Sequence, residues 1–206
     1  MAWGKDYVSG VLENKDLIAE QRSGSLDVSD VYVSAKVPFA YDYADDCSAW
    51  FDKVKAVAAA NGFGDLSRFK EVVFCGFGEP TVRLYDLLDV ARYIKSKSNI
   101  KIRINTNGLA DLIWNKSTAS ELKGLIDTVS VSLNATNKED YLKVVRPRFG
   151  IESFDAMLKF TKECTEYVPS VMMTVVDVVT TKDEQEACRK ICESVGAIFR
   201  VRPYSD

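Results

Sequence analysis

The chain has 206 residues, 47% hydrophobic and 28% charged, with 27 lysines and arginines against 30 acids. That length supports one domain with a full core, and the formal charge of -3 supplies no basic field for nucleic acid or anionic lipid. No histidine is present, which excludes Ser-His-Asp and Cys-His nucleophiles and every histidine metal ligand.

The opening residues, Met1 to Asp6, lack the basic-then-apolar layout of a secretory signal. No apolar run reaches the ~20 residues that span a bilayer. A cytoplasmic protein without a membrane or nucleic-acid partner is expected. The cysteines, Cys47, Cys75, Cys164, Cys188 and Cys192, are odd in number and thinly spread, which predicts reduced thiols rather than a disulfide framework.

In chain order, residues 1–24 read as an N-terminal helical extension ending at the polar seam Arg22-Ser23-Gly24-Ser25. Residues 25–206 then alternate short β-rich runs with amphipathic helical runs. Val31, Val33, Ala35 and Val37 alternate with polar residues until Pro38 ends the strand. Trp50, Phe51, Val54, Val57 and Ala58 share a helical face closed by Asn61-Gly62. Glu71 to Cys75 is a compact strand, and Leu84, Leu87, Leu88, Ala91 and Ile94 mark the next helix.

Ile100 to Asn105 is a strand, and Thr118 with Glu121 has the spacing of a capping box. Thr128 to Asn134 is a strand followed by helical stretches, the second carrying Phe154, Met157, Leu158, Thr161 and Cys164 on one side. The strand Val171 to Val178, the helix Glu184 to Val195 and the strand Ile198 to Arg202 complete the chain. Six strands separated by helices imply crossover connections and a mostly parallel sheet of the α/β class.

Strands covered by helices on both faces read as unbroken apolar runs. Here Arg103 and Asn105 alternate with Ile102 and Ile104, Ser130, Ser132 and Asn134 with Val129, Val131 and Leu133, and Arg200 and Arg202 with Phe199 and Val201. One sheet face is therefore apolar and the other polar, as in a curved sheet with helices outside and a ligand-lined concavity. A two-layer sandwich with a solvated bare face is the other reading of the same pattern. The loops Gly76-Phe77-Gly78-Glu79-Pro80 and Asn105-Thr106-Asn107-Gly108 follow adjacent strands, and neither matches a P-loop or dinucleotide fingerprint. Pro80 predicts extended backbone at Glu79.

The strings Val72 to Thr81, Arg103 to Gly108, Ser130 to Ala135 and Arg200 to Tyr204 together resemble a radical S-adenosylmethionine (SAM) protein. The nearest likeness is the TatD-associated radical SAM family, over about residues 49–204. The resemblance implies a partial (β/α)6 barrel that binds SAM at the carboxyl ends of its strands. It assigns Gly78, Glu79 and Pro80 to the SAM amino group, Ser132 and Asn134 to the ribose and carboxylate, and the backbone near Val201 and Arg202 to the adenine. Asn105 and Asn107 border the same region, and Arg146 is a candidate fork for the SAM carboxylate, with solvation of a surface loop as its alternative.

The family also implies a [4Fe-4S] cluster held by three cysteines spaced CxxxCxxC after the first strand. That motif is absent: the segment from Pro38 to Cys47 holds one cysteine. Cys188 and Cys192 are spaced CxxxC but share a helical face with Ile191 and Val195, which points to burial. Asp42, Asp45 and Asp46 read as a solvated acidic helix start. No metal ligand is assigned.

Three functions remain open at this point. One is a SAM-binding domain without its cluster. Another is a barrel that acts as a binding or scaffolding module, with a TatD-type nuclease as the partner that the resemblance suggests. The third is an acid-base enzyme using Glu79 beside Arg103 or Arg202, where a neighbouring arginine would lower the glutamate pKa.

Overall fold

A computed structural model describes residues 30–34, 70–75, 79–177 and 181–202. The N-terminal extension, the Trp50 helix, the aspartate cluster, Cys47, Gly78 and the segment after Arg202 lie outside the described residues.

Six strands form one sheet in the order of the sequence. They are β1 (Asp30–Ser34), β2 (Glu71–Cys75), β3 (Lys101–Thr106), β4 (Thr128–Ser132), β5 (Ser170–Val176) and β6 (Ile198–Arg202). Every neighbouring pair is parallel. Among the described residues no pairing joins β6 back to β1, so the sheet is an open, partial (β/α) barrel.

The described helices are α1 (Leu84–Lys97), α2 (Ala110–Trp114), α3 (Lys138–Val145), α4 (Glu152–Tyr167) and α5 (Lys182–Ser194). Two short 3-10 turns, Pro80–Arg83 and Ala119–Leu122, precede α1 and β4. The apolar stripe of α1 buries Leu84, Leu87, Leu88, Ala91 and Ile94. Helix α4 buries Phe154, Met157, Phe160, Thr161 and Cys164, and α5 buries Cys188 and Cys192. These side chains join Val72, Phe74, Ile102, Ile104, Val129, Val131, Val171, Met173 and Val175 in one core cluster. Alternate strand residues thus turn to the helices, and their neighbours line the other face.

The amino-terminal edge of the sheet is tied by Asp127. Its backbone N–H bonds the carbonyl of Ile102, and its carboxylate accepts from the Ile102 N–H at 2.7 Å and from Lys95 Nζ at 2.6 Å. These bonds hold β3 in register with the start of β4 and fasten α1 to both.

Three local expectations change. Thr118 and Glu121 form no capping box: the Thr118 N–H and hydroxyl both bond Asp111 Oδ1 at 2.8 Å, and Glu121 takes the Tyr85 hydroxyl and Lys116 instead. A true capping box opens α5, where Thr181 and Glu184 satisfy each other's backbone N–H groups. Helix α5 therefore starts earlier than its apolar residues indicate. Strand β4 ends at Ser132, because Asn134 turns to a left-handed φ of 58°.

Candidate functional site

The polar residues expected on one sheet face lie there together. Asn105 is in register with Ser130 on β4. One step toward the carboxyl ends, Ser132 is in register with Thr174, and Thr174 with Arg200. Val176 and Arg202 follow one further step along. Ser132, Thr174 and Arg200 give a polar row two strand spacings, roughly 10 Å, wide from β4 to β6, with Asn105 and Ser130 one step below it on β3 and β4. Val73 and Met172 belong to the same face, so its floor is mixed rather than wholly polar.

Glu79 closes the rim between β2 and β3. Its backbone is extended, with φ -96° and ψ 113°, as the following Pro80 requires. Oε1 accepts from the Thr81 N–H at 3.0 Å, the Thr81 hydroxyl at 2.7 Å and the Thr106 hydroxyl at 2.6 Å. Oε2 accepts from the Asn107 N–H at 2.7 Å. The carboxylate thus staples the loop after β3 to the turn before α1.

Burial raises the Glu79 pKa from its ordinary value of 4.5, and the hydrogen bonds only partly oppose this. The expected arginine neighbour is not there: Arg103 pairs with Glu71 at 3.0 Å, and Arg202 is exposed. The direction of the shift is therefore the reverse of that expected for a glutamate beside an arginine.

The β3 loop is a dense turn built on this staple. Thr106 Oγ1 accepts from the Gly108 N–H at 3.0 Å, and Asn107 Oδ1 accepts from the Leu109 N–H at 2.9 Å. Gly108 has φ 77°, and an added Cβ would lie 2.8 Å from Met157 Cγ and 2.9 Å from Val131 Cγ1. Only glycine permits this close passage over α4 and β4. With its carbonyl oxygen committed to the turn, Asn107 retains its side-chain amide donors.

Among the described residues, other polar groups are left without partners. Asn105 Oδ1 is buried and makes no hydrogen bond. Arg103 Nε is buried and unpaired as well, although its guanidinium reaches Glu71 through another nitrogen. Asn134 holds its left-handed turn with the Ala135 N–H bonded to the Leu133 carbonyl at 2.8 Å. Asparagine tolerates this conformation better than most side chains. Buried amide groups left unpaired are costly, and such costs persist where a ligand meets them.

Among the remaining expected residues, Pro80 is buried at the first position of the 3-10 turn. Arg146 is exposed at the left-handed C-cap of α3. Val201 packs against the core from the helix side of β6, so only its backbone is available to the inner face.

One residue had no sequence signal. Tyr141 on α3 is 1% exposed and packs edge-on against Phe154, with ring centroids 5.6 Å apart. Burial, assisted by the charge of Glu79, pushes its phenol pKa up to about 12.

The cysteines divide between the two faces. Cys164, Cys188 and Cys192 are fully buried on the helix side. Burial pushes the Cys188 thiol up to about 11 and the Cys192 thiol to about 12, and it raises Cys164 further. Cys75 is half-buried in register with Ser34, on the same face as Val73. The described cysteines do not fit a cubane, which requires three converging thiolates. Among the described residues no cluster of three or more Cys, Asp or Glu could hold a metal ion, and no helix is long and apolar enough to cross a membrane.

An open parallel barrel with helices outside and polar strand ends inside defines a class of fold. The chain belongs to the radical SAM superfamily: the model described as "Radical SAM superfamily" matches residues 51–191. No curated protein matches the chain. Among solved structures it is similar to TYW1 with a lysine-pyruvate adduct bound, at 14% identity and TM-score 0.50, covering 79% of this chain and 53% of that one. It is similar to an archaeal TYW1 at 13% identity and TM-score 0.52, covering 84% and 62%. A radical SAM methyltransferase from Sphaerobacter thermophilus is similar at 20% identity and TM-score 0.50, covering 73% and 45%. The chain spans roughly half the length of these structures, and at such identities the likeness is one of fold.

Proposed function

We propose that this chain binds SAM across the carboxyl ends of β3 to β6, and that it does so without the cysteine-ligated cluster of its superfamily. The observation that carries the reading is the buried, unpaired Asn105 Oδ1 on the inner face, in register with Ser130. An adenosyl ligand supplies hydroxyl and amino donors for such an acceptor. Superfamily membership supports the same ligand.

In this reading Ser132 and Asn134 meet the ribose and carboxylate, and Asn107 presents its amide donors to the same pocket. The backbone of Val201 and Arg202 borders the adenine. Gly78, Glu79 and Pro80 are assigned to the amino group, and Arg146 approaches the ligand carboxylate. SAM bound together with a reduced cluster would supply a carbon radical. The residues of this chain do not fit that cluster, so no radical step is assigned to it.

Isothermal titration of SAM into the intact chain tests the proposal. Saturable binding is expected, weakened about tenfold by Asn134→Ala, the typical cost of one hydrogen bond to a ligand. Equal binding by the variant would remove Asn134 from the site, and no heat at any SAM concentration would refute the function.

A further inference from the structure

Phe199 and Val201 of β6 pack against the core, so Ile198, Arg200 and Arg202 turn to the inner face. All three are exposed there, and Ile198 keeps 59% of its surface open. Among the described residues neither arginine side chain has an ion pair or a hydrogen bond, whereas Arg83, Arg92, Arg103 and Arg189 each hold a carboxylate. The neighbouring strand offers no acid on this face: Thr174 stands in register with Arg200, Val176 with Arg202 and Met172 with Ile198.

Residues two apart on a strand share a face at a separation of about 6.6 Å. Two long arginine side chains so placed reach one group lying between them. Charges on an edge strand also serve to block pairing with another sheet, and β6 is an edge among the described residues. An open isoleucine beside them works against that role, because exposed apolar edges invite pairing. A carboxylate fills one guanidinium fork and leaves the second charge unmet. A phosphate monoester brings roughly 1.5 to 2 negative charges near neutral pH and three terminal oxygens, which meet both. In a chain of formal charge -3, two arginines make a point site and no track for a polyanion.

The geometry points to a binding site for a small phosphate monoester on the inner face of β6. Arg200 and Arg202 hold the phosphoryl oxygens, and Ile198 with Met172 receives the carbon skeleton attached to them. The site is separate from the SAM reading, in which β6 contributes only backbone.

Isothermal titration of the intact chain with phenyl phosphate, inorganic phosphate and benzoate tests the assignment. Phenyl phosphate is expected to bind saturably and more tightly than inorganic phosphate, since only the ester covers Ile198, and about tenfold more tightly than benzoate. Arg200→Gln should weaken both phosphates about tenfold or more, the cost of a charge-assisted bond. Arg200→Lys should recover part of that loss. Arg92→Gln, which removes the same charge from α1, should leave both affinities unchanged, and Ile198→Ser should bring phenyl phosphate down to the affinity of inorganic phosphate. These positions are exposed, so circular dichroism spectra should match that of the wild type. No saturable binding of either phosphate, or equal losses from Arg92→Gln and Arg200→Gln, would reduce the arginines to guards of a sheet edge and overturn the site. Benzoate binding as tightly as phenyl phosphate would overturn the phosphoryl assignment. If Arg200→Gln weakens SAM and spares the phosphates, the side chain belongs to the SAM carboxylate, and this proposal falls while the SAM reading stands. Phosphate binding by a chain that takes up no SAM would leave this site standing and remove the SAM reading.

Discussion

Glu79→Ala is expected to destabilise the fold by about 3 kcal/mol and to abolish measurable SAM binding. The substitution removes the acceptor for four hydrogen bonds. The Thr81 and Thr106 hydroxyls can rotate to new partners, but the Thr81 and Asn107 N–H groups cannot. Each buried donor left unmet costs roughly 1–3 kcal/mol, and relief from burying the carboxylate returns part of that sum. The larger effect falls on the β3 loop, because Asn107 and Thr106 are set by this one side chain. Urea unfolding monitored by circular dichroism reads the stability, and calorimetry reads the binding.

The same side chain gives a pH signature with a definite sign. The folded-state pKa of Glu79 lies above its ordinary value of 4.5, so the folded chain holds more protons in the interval between the two. Stability from this group is therefore fully present below pH 4.5 and is lost as the pH rises through the folded value. Glu79→Gln cannot titrate and should lack this component. A variant with an unchanged pH profile would show that Glu79 is not desolvated as described.

Anaerobic treatment with iron and sulfide is expected to leave well under one [4Fe-4S] cluster per chain, with no charge-transfer absorption characteristic of a cubane. Three thiolates must converge on such a cluster. The sequence contains no CxxxCxxC, and Cys164, Cys188 and Cys192 are sealed on the helix side with thiols that resist ionisation. Their effective pKa leaves little thiolate near neutrality. Cys75 lies on the other face, and adding Cys47 would still give only two sulfurs. Stoichiometric iron and sulfide in the purified chain, with a reducible cluster signal, would overturn this half of the account.

Much of the fold was legible because strand periodicity is strict. Ile198–Arg202 and its alternation, the polar positions 103 and 105, and the helix starting at Leu84 all follow from spacing alone. The site was legible at its strand positions and not between them. The partners that define Glu79 lie up to 28 residues away, and nothing local announces them. Tyr141 occupies an ordinary apolar position of a short helix, and its burial against Phe154 is a property of the assembled fold. The Thr118 to Glu121 pattern misled because Asp111, seven residues upstream, captures the threonine first.

The most direct test of the central claim is the response of side-chain amide resonances to SAM. The Asn105 and Asn134 amide signals, assigned by their loss in the corresponding alanine variants, are expected to shift saturably as SAM is added. Shifts confined to residues outside β3 and β4, or none at all, would contradict it.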